Sequence, residues 1–338
     1  MMKRTVIFLI IALVSCGGLY GQKNRQTNTS QKIPRVRFTG DPFAQMATAI
    51  FAETLQDMRN KIEYGANSKY PAGFFHTSTE EKGVPQYYED MWSRDCGRGV
   101  IELCRLGFID DAKMISRYFL AHKNFGDHWG RELHRSGAPH TGYELDGNTL
   151  IIAAVCNTWR VNGKDRALGQ EFCQELKPVV DWVASSMETS PYYGLMPSSS
   201  ELSGNPGPAF YVYSIFANYG MYTVLEQIAD MAQHCGEVSL ADKATSLQGK
   251  MKEALSHLIS DGKFSYAPNG CWFNGFDGRD GRAYDISDWG GTLWHIWNWT
   301  SQLPIIQDND NKTNRIEGAL SEVNEASNEL QRFWKSKG

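Results

Sequence analysis

The sequence predicts an all-α protein built as an array of αα-hairpins, and three features carry that expectation. Apolar residues recur at helical spacing in segment after segment, with no sustained alternation of period two. Segments that are apolar nearly all round alternate with segments that are amphipathic. The links alternate as well, short in one direction and long in the other.

Residues 41–64 form the first amphipathic helix. Residues 92–106 follow, with the apolar run Val100, Ile101, Leu103 and Cys104, and then residues 110–122. Residues 147–161, which contain LIIAAVCNTW, are apolar on almost every side, the mark of a helix with neighbours all round. In residues 167–187, Phe172, Leu176, Val179, Val180 and Val183 return to one face. Residues 211–234 are again richly apolar, 239–259 amphipathic and 289–299 dense in aromatics. The last segment, 311–337, sets Ile316, Leu320, Val323, Leu330 and Phe333 on one face and charge on the other.

From each apolar helix to the next amphipathic one the link is tight. Gly107 with Asp110, Gly163 with Asp165, and Gly236 with Asp242 each offer a residue to end one helix and one to help start the next. In the other direction the links run through residues 123–146, 188–210 and 261–288, and they hold most of the Gly, Trp and Tyr. Loops of this length in a compact domain are usually functional. A hairpin repeat of roughly 55–75 residues closes into a ring or runs on as a solenoid. A ring is favoured, with apolar helices inside and amphipathic helices outside, so that every long loop and every inner-helix start falls at one end.

That arrangement accounts for an oddity in MWSRDC. Asp95 suits the positive end of a helix, but Arg94 does not, and it stands beside Trp92 just ahead of an apolar run. At a shared pocket, Asp95 and a ligand neutralise Arg94. The same rim collects Glu89, Asp90 and Asp95, then Trp129, Glu144 and Asp146, then Glu201, then Trp272, Asp285, Asp288 and Trp289. Acids across a pocket with aromatic rings and no metal cluster fit glycoside hydrolysis, in which one carboxylic acid protonates the leaving oxygen and a second carboxylate handles water. Any one of these acids can instead cap its helix.

Composition agrees. The chain has 338 residues, 41% apolar and 21% charged, enough for one large core. A net charge of −4 without a basic run excludes a nucleic-acid binder. Ten Trp, fifteen Tyr and sixteen Phe exceed what a core alone tends to need, and flat rings with polar tips suit sugars. No Cys-x-x-Cys pair occurs, so Cys96, Cys104, Cys156, Cys173, Cys235 and Cys271 read as buried free thiols rather than a zinc site or disulfide framework. Lys3 and Arg4 before the apolar stretch 6–14 have the plan of a secretory signal. With Leu13, Val14 and Ser15 leading to Cys16, residues 1–15 resemble a lipoprotein signal with Cys16 as the lipid acceptor. Residues 16–37 then form a flexible tether and 38–338 the hairpin-barrel domain. Export to a membrane-anchored position is the expectation, ordinary cleavage near Gly21 and secretion the alternative.

WSRD opening one inner helix, ELDGN opening the next, and GLMPSSSE ahead of an aromatic inner helix resemble the six-hairpin (α/α)6 glycosidases, most nearly the glucoamylase-like enzymes. The likeness runs over residues 41–300. It implies an (α/α)6-toroid with Arg94 and Asp95 gripping hydroxyls of the terminal sugar, Trp92 as a wall and Glu201 as the general acid. The other rim residues Trp129, Glu144, Asp146, Trp272 and Trp289 are expected to complete the sugar site. The family carries its base near the last inner helices, a region missing here, so that either the barrel is truncated, or Asp288 or Asp285 takes over the base role, or the protein only binds. The likeness further implies an exo-acting, inverting enzyme on oligosaccharides that needs no metal or organic cofactor. In the family an aromatic adjoins the acid, whereas Glu201 sits among Ser198, Ser199, Ser200, Leu202 and Ser203. Nine helical segments against the family's twelve imply an incomplete barrel, with a bare apolar face expected on the first and fourth inner helices and further helices to be sought past Gly338. Two other functions fit the same features: a lipid-anchored carbohydrate-binding protein lacking one acid, or a toroidal lyase or uronyl hydrolase. The latter would use Tyr143, Tyr211, His134 and His140, with Arg131 and Arg135 facing an anionic substrate.

Overall fold

A computed structural model describes residues 37, 39, 44–65, 70–77, 90–133, 142–190, 194–197, 212–260, 275–277 and 283–284. They contain seven helices: α1 (Ala44–Asn60), α2 (Ser93–Arg105), α3 (Ile109–Ala121), α4 (Leu145–Val161), α5 (Arg166–Thr189), α6 (Ile215–Cys235) and α7 (Val238–Ser260). Five short strands accompany them: β1 (Met91–Trp92), β2 (Glu132–Leu133), β3 (Val212–Ser214), β4 (Gly275–Asp277) and β5 (Ala283–Tyr284). The fold is thus the all-α array of αα-hairpins that the sequence predicts. Each of the first seven helical segments appears within a few residues of its expected ends. The segments 289–299 and 311–337 lie outside the described residues.

The two layers follow from the patterning. Helices α2, α4 and α6 pack side by side as an inner row, and α3, α5 and α7 form the outer row against them. In α4 every residue from Leu145 to Cys156 is buried, as an inner helix requires. The outer helices bury one face. On α5 that face carries Phe172, Cys173, Leu176, Val179, Val180 and Val183. Close approach of α2 to α4 depends on glycine: a Cβ on Gly97 would lie 2.8 Å from the carbonyl carbon of Leu150, and one on Gly147 would lie 2.2 Å from Ser93 Oγ.

The tight links behave as expected at their first residues, with Gly107 at φ 81° and Gly236 at φ 83°. The aspartates divide. Asp165 caps α5 through Leu168 N at 2.7 Å, whereas α3 begins on Phe108 without a side-chain cap, and Asp242 falls inside α7. The strands were not legible, because two or three residues are too short to show alternation. They sit where the inner helices begin. β1 pairs antiparallel with β2, and β3 with β4, which in turn pairs with β5.

The bare apolar face expected on the first inner helix is not found. Val100, Ile101, Leu103 and Cys104 of α2 are buried, and the large exposed apolar residues among those described are Met46, Phe125, Val161 and Val238. Residues 70–77 cover that side: the Phe75 ring packs so close to α2 that a Cβ on Gly99 would lie 2.5 Å from it. α1 adds Arg59, which lies over the Phe108 ring at 4.9 Å and meets Asp111 at 3.5 Å, both charges buried. The fourth inner helix lies outside the described residues.

Candidate functional site

The inner helices begin in the same way three times. In each, the fourth residue reaches back about twenty positions and holds the backbone of the incoming loop. Asn148 of α4 accepts from Trp129 N at 2.9 Å and donates to Trp129 O at 2.8 Å. Asn218 of α6 accepts from Met196 N at 2.8 Å and donates to Met196 O at 3.0 Å. On α2 the position is Cys96, whose thiol donates to Phe75 O at 3.1 Å. These clamps fix the register of the loops against the helix ends, and buried backbone groups gain the partners they need.

Two rim positions per helix are thereby equivalent: the residue before the helix and the second residue within it. On α2 these are Trp92 and Arg94, and on α4 they are Glu144 and Asp146. The two pairs meet. Arg94 donates one Nη to Asp146 Oδ2 and the other to Glu144 Oε2, both at 3.2 Å, and the three side chains are 7%, 2% and 4% exposed. The cation that contradicts the α2 dipole is therefore held by two carboxylates at the start of α4. Glu144 precedes α4 yet makes no capping bond, whereas Asp146, besides holding Arg94, accepts from Gly147 N in the first turn of α4 at 3.0 Å, so the capping alternative describes part of its role. Asp95, in the first turn of α2, is partly exposed.

Trp92, directly before α2, is itself buried. Its backbone N–H donates to Thr77 Oγ1 at 2.9 Å, and its partner across the ladder is the buried Glu132. The guanidinium of Arg131 lies over the indole at 5.0 Å and donates to Glu132 at 3.1 Å, while Arg131 O accepts from Ser93 N at 2.9 Å. Glu132 was not foreseen. Nothing in its local sequence distinguishes it, since only the β1–β2 pairing brings it here. Trp129 requires a correction: it is wholly buried, its indole N–H donates to Phe119 O at 2.7 Å, and it has no surface to offer a ligand. The Asn148 clamp turns it into the core.

An aromatic buttress includes Tyr143, the chain neighbour of Glu144. His128 is stacked between Phe125 and Trp182, with centroids 4.7 and 4.4 Å away, and Tyr143 meets His128 and Trp182 edge-on. Burial lowers the His128 pKa against the opposing hydrogen bond with Asp127, and burial raises that of Tyr143. The Tyr143 hydroxyl donates to Pro197 O at 2.9 Å. Tyr143 and Asn218 thus secure residues 196 and 197, a few positions ahead of Glu201. Glu201, Asp285, Asp288, Trp272, Trp289, Tyr211, His134, Arg135, His140 and Cys16 lie outside the described residues.

The arrangement gathers three buried, hydrogen-bonded charged groups, Arg94, Glu144 and Asp146, where α2 and α4 begin. Acids outnumber bases in it, with Glu132, Glu144 and Asp146 buried around Arg94 and Arg131. Among the described residues no group of three or more His, Cys, Asp or Glu is placed to hold a metal ion, and no helix is long and apolar enough to cross a membrane.

No family model and no curated protein matches the chain. Among solved structures it is similar to a rhamnosidase of Bacillus sp. GL1, with 12% identity over 60% of this chain and 20% of that one, at a TM-score of 0.48. It is similar to a glucoamylase from Saccharomycopsis fibuligera, with 17% identity over 65% of this chain and 50% of that one, also at 0.48. A cellobiose 2-epimerase from Bacillus thermoamylovorans gives 10% identity over 79% and 70%, at 0.45. The chain spans half or less of the length of the first two, and the likeness to all three is one of fold.

Proposed function

We propose that this chain is a glycoside hydrolase acting on the ends of neutral oligosaccharides. The observation that carries the reading is Arg94 held between Glu144 and Asp146 beside Trp92. A sugar offers hydroxyls that both donate and accept and an apolar ring face, and this floor supplies acceptors, a donor and a ring for them. The buried excess of carboxylates disfavours an anionic sugar, which sets the lyase and uronyl-hydrolase alternative behind.

Glu144 and Asp146 accept from Arg94, a role for groups that grip hydroxyls, so the proton donor belongs elsewhere on the rim. Glu201 is that donor in this proposal and Asp288 the base. In the inverting reaction the acid protonates the departing glycosidic oxygen while the base takes a proton from water attacking the opposite face, the two carboxyls lying about 6.5–9.5 Å apart. Export and anchoring through Cys16 belong to the same proposal. Loss of membrane association in Cys16→Ala tests that part.

The test of the reaction is reducing-sugar release by the parent and by Glu201→Gln. Abolished turnover with oligosaccharide binding retained supports the hydrolase. Binding without release in the parent overturns it in favour of a carbohydrate-binding protein.

A further inference from the structure

The described cysteines are buried and free, yet three of them gather where three helices pack. Cys156 lies on α4, Cys173 on α5, and Cys235 is the last residue of α6. The thiols of Cys173 and Cys235 are near enough to act on one another, and Cys156 is near enough to act electrostatically on Cys173. A second observation places Cys235 independently. A Cβ on Gly169 would lie 2.2 Å from Cys235 Sγ, and Gly169 is one turn before Cys173 on the same face of α5. Gly169 is thus the seat in which the Cys235 sulfur rests against the Cys173 face. Gln170 Nε2 donates to Cys235 O at 3.2 Å, so the backbones carrying the two thiols are tied together as well.

We propose that Cys173 and Cys235 form an intramolecular disulfide that staples α5 to the end of α6 when the chain meets a disulfide oxidant. The Cys235 thiolate attacks one sulfur of the oxidant and releases its first thiolate. The Cys173 thiolate then attacks the Cys235 sulfur of the mixed disulfide and releases the second. The two protons lost by the protein thiols are taken up by the two released thiolates, so two electrons and two protons turn the oxidant disulfide into two thiols. Burial pushes the Cys173 thiol up to about 12 and raises that of Cys235, so thiolate is scarce in the closed fold. Exchange therefore proceeds during folding or when the last turn of α6 opens beside Gly236. The pairing does not depend on the sugar-site reading, because its readout is a thiol count rather than turnover.

The experiment is to refold the full chain from urea in a glutathione redox buffer, quench it with excess iodoacetamide under denaturing conditions, and map the peptides by mass. The expected result is a Cys173 peptide linked to a Cys235 peptide with loss of two hydrogens, while Cys96, Cys104 and Cys156 are alkylated in full. Cys156→Ala should leave the link in place, and Cys235→Ala should leave Cys173 alkylated. Full alkylation of both Cys173 and Cys235, or a link that maps to another pair, overturns the proposal.

Discussion

The starts of α2 and α4 occupy equivalent places in the hairpin repeat and are built from opposite materials. At α4 every described rim and clamp position is a carboxylate or a carboxamide: Glu144, Asp146 and Asn148. At α2 the same positions hold an indole, a guanidinium and a thiol: Trp92, Arg94 and Cys96. The fourth position keeps one job in both, holding the incoming loop, although Asn148 makes two bonds to Trp129 where Cys96 makes a single bond to Phe75. The first two positions do not share a job. They complement each other across the α2–α4 contact, and the acid pair of one helix becomes the socket for the cation of the other. A repeat can therefore keep its framework at one position while its rim becomes a site.

Removing the cation breaks that complementarity most severely. Arg94→Met takes from the buried Glu144 and Asp146 the guanidinium that bridges them, and the expected cost is about 3–5 kcal/mol in a urea titration, with oligosaccharide binding lost. The clamps come next. Asn148→Ala strips the Trp129 N–H and C=O of their partner and is expected to cost roughly 2–3 kcal/mol, whereas Cys96→Ala, losing one weak donor, should cost about 1 kcal/mol. Equal effects at the two positions would mean that the clamp is not what distinguishes them.

The aromatic buttress around His128 gives a smaller, pH-dependent effect. His128 is held below its ordinary 6.5 by burial, so on acidification the unfolded chain binds a proton before the folded one does. Stability is expected to fall as pH drops below about 6.5, and His128→Phe should remove that part of the slope in thermal melts across pH 5–7. The smallest effect belongs to the outer wall. Arg117 meets Glu171 in a two-point pair at 2.7 and 2.8 Å, with both side chains about half exposed. Arg117→Ala should therefore change stability by less than about 1 kcal/mol.

The helices were legible because burial on one face or all round writes a period into the sequence, as in LIIAAVCNTW of α4 and the Phe172–Leu176–Val180 row of α5. Arg94 was legible as an inconsistency: a cation at a helix start demands an explanation. Its partners were not, since Glu144 and Asp146 lie 50 and 52 residues downstream, and the pairing depends on how α2 and α4 register through Gly97 and Gly147. Trp129 was misread because a Trp in a long, polar loop suggests a ligand wall, while only the Asn148 clamp shows that it points inward. Glu132 and the strands around it escaped because two paired residues leave no periodic trace.

The most direct measurement is a crystal structure of the full chain grown with a neutral oligosaccharide. The account predicts a terminal sugar with hydroxyls within hydrogen-bonding distance of Glu144, Asp146 or Arg94 and its ring beside Trp92. A sugar seated against other residues, or none at saturating oligosaccharide, would contradict it.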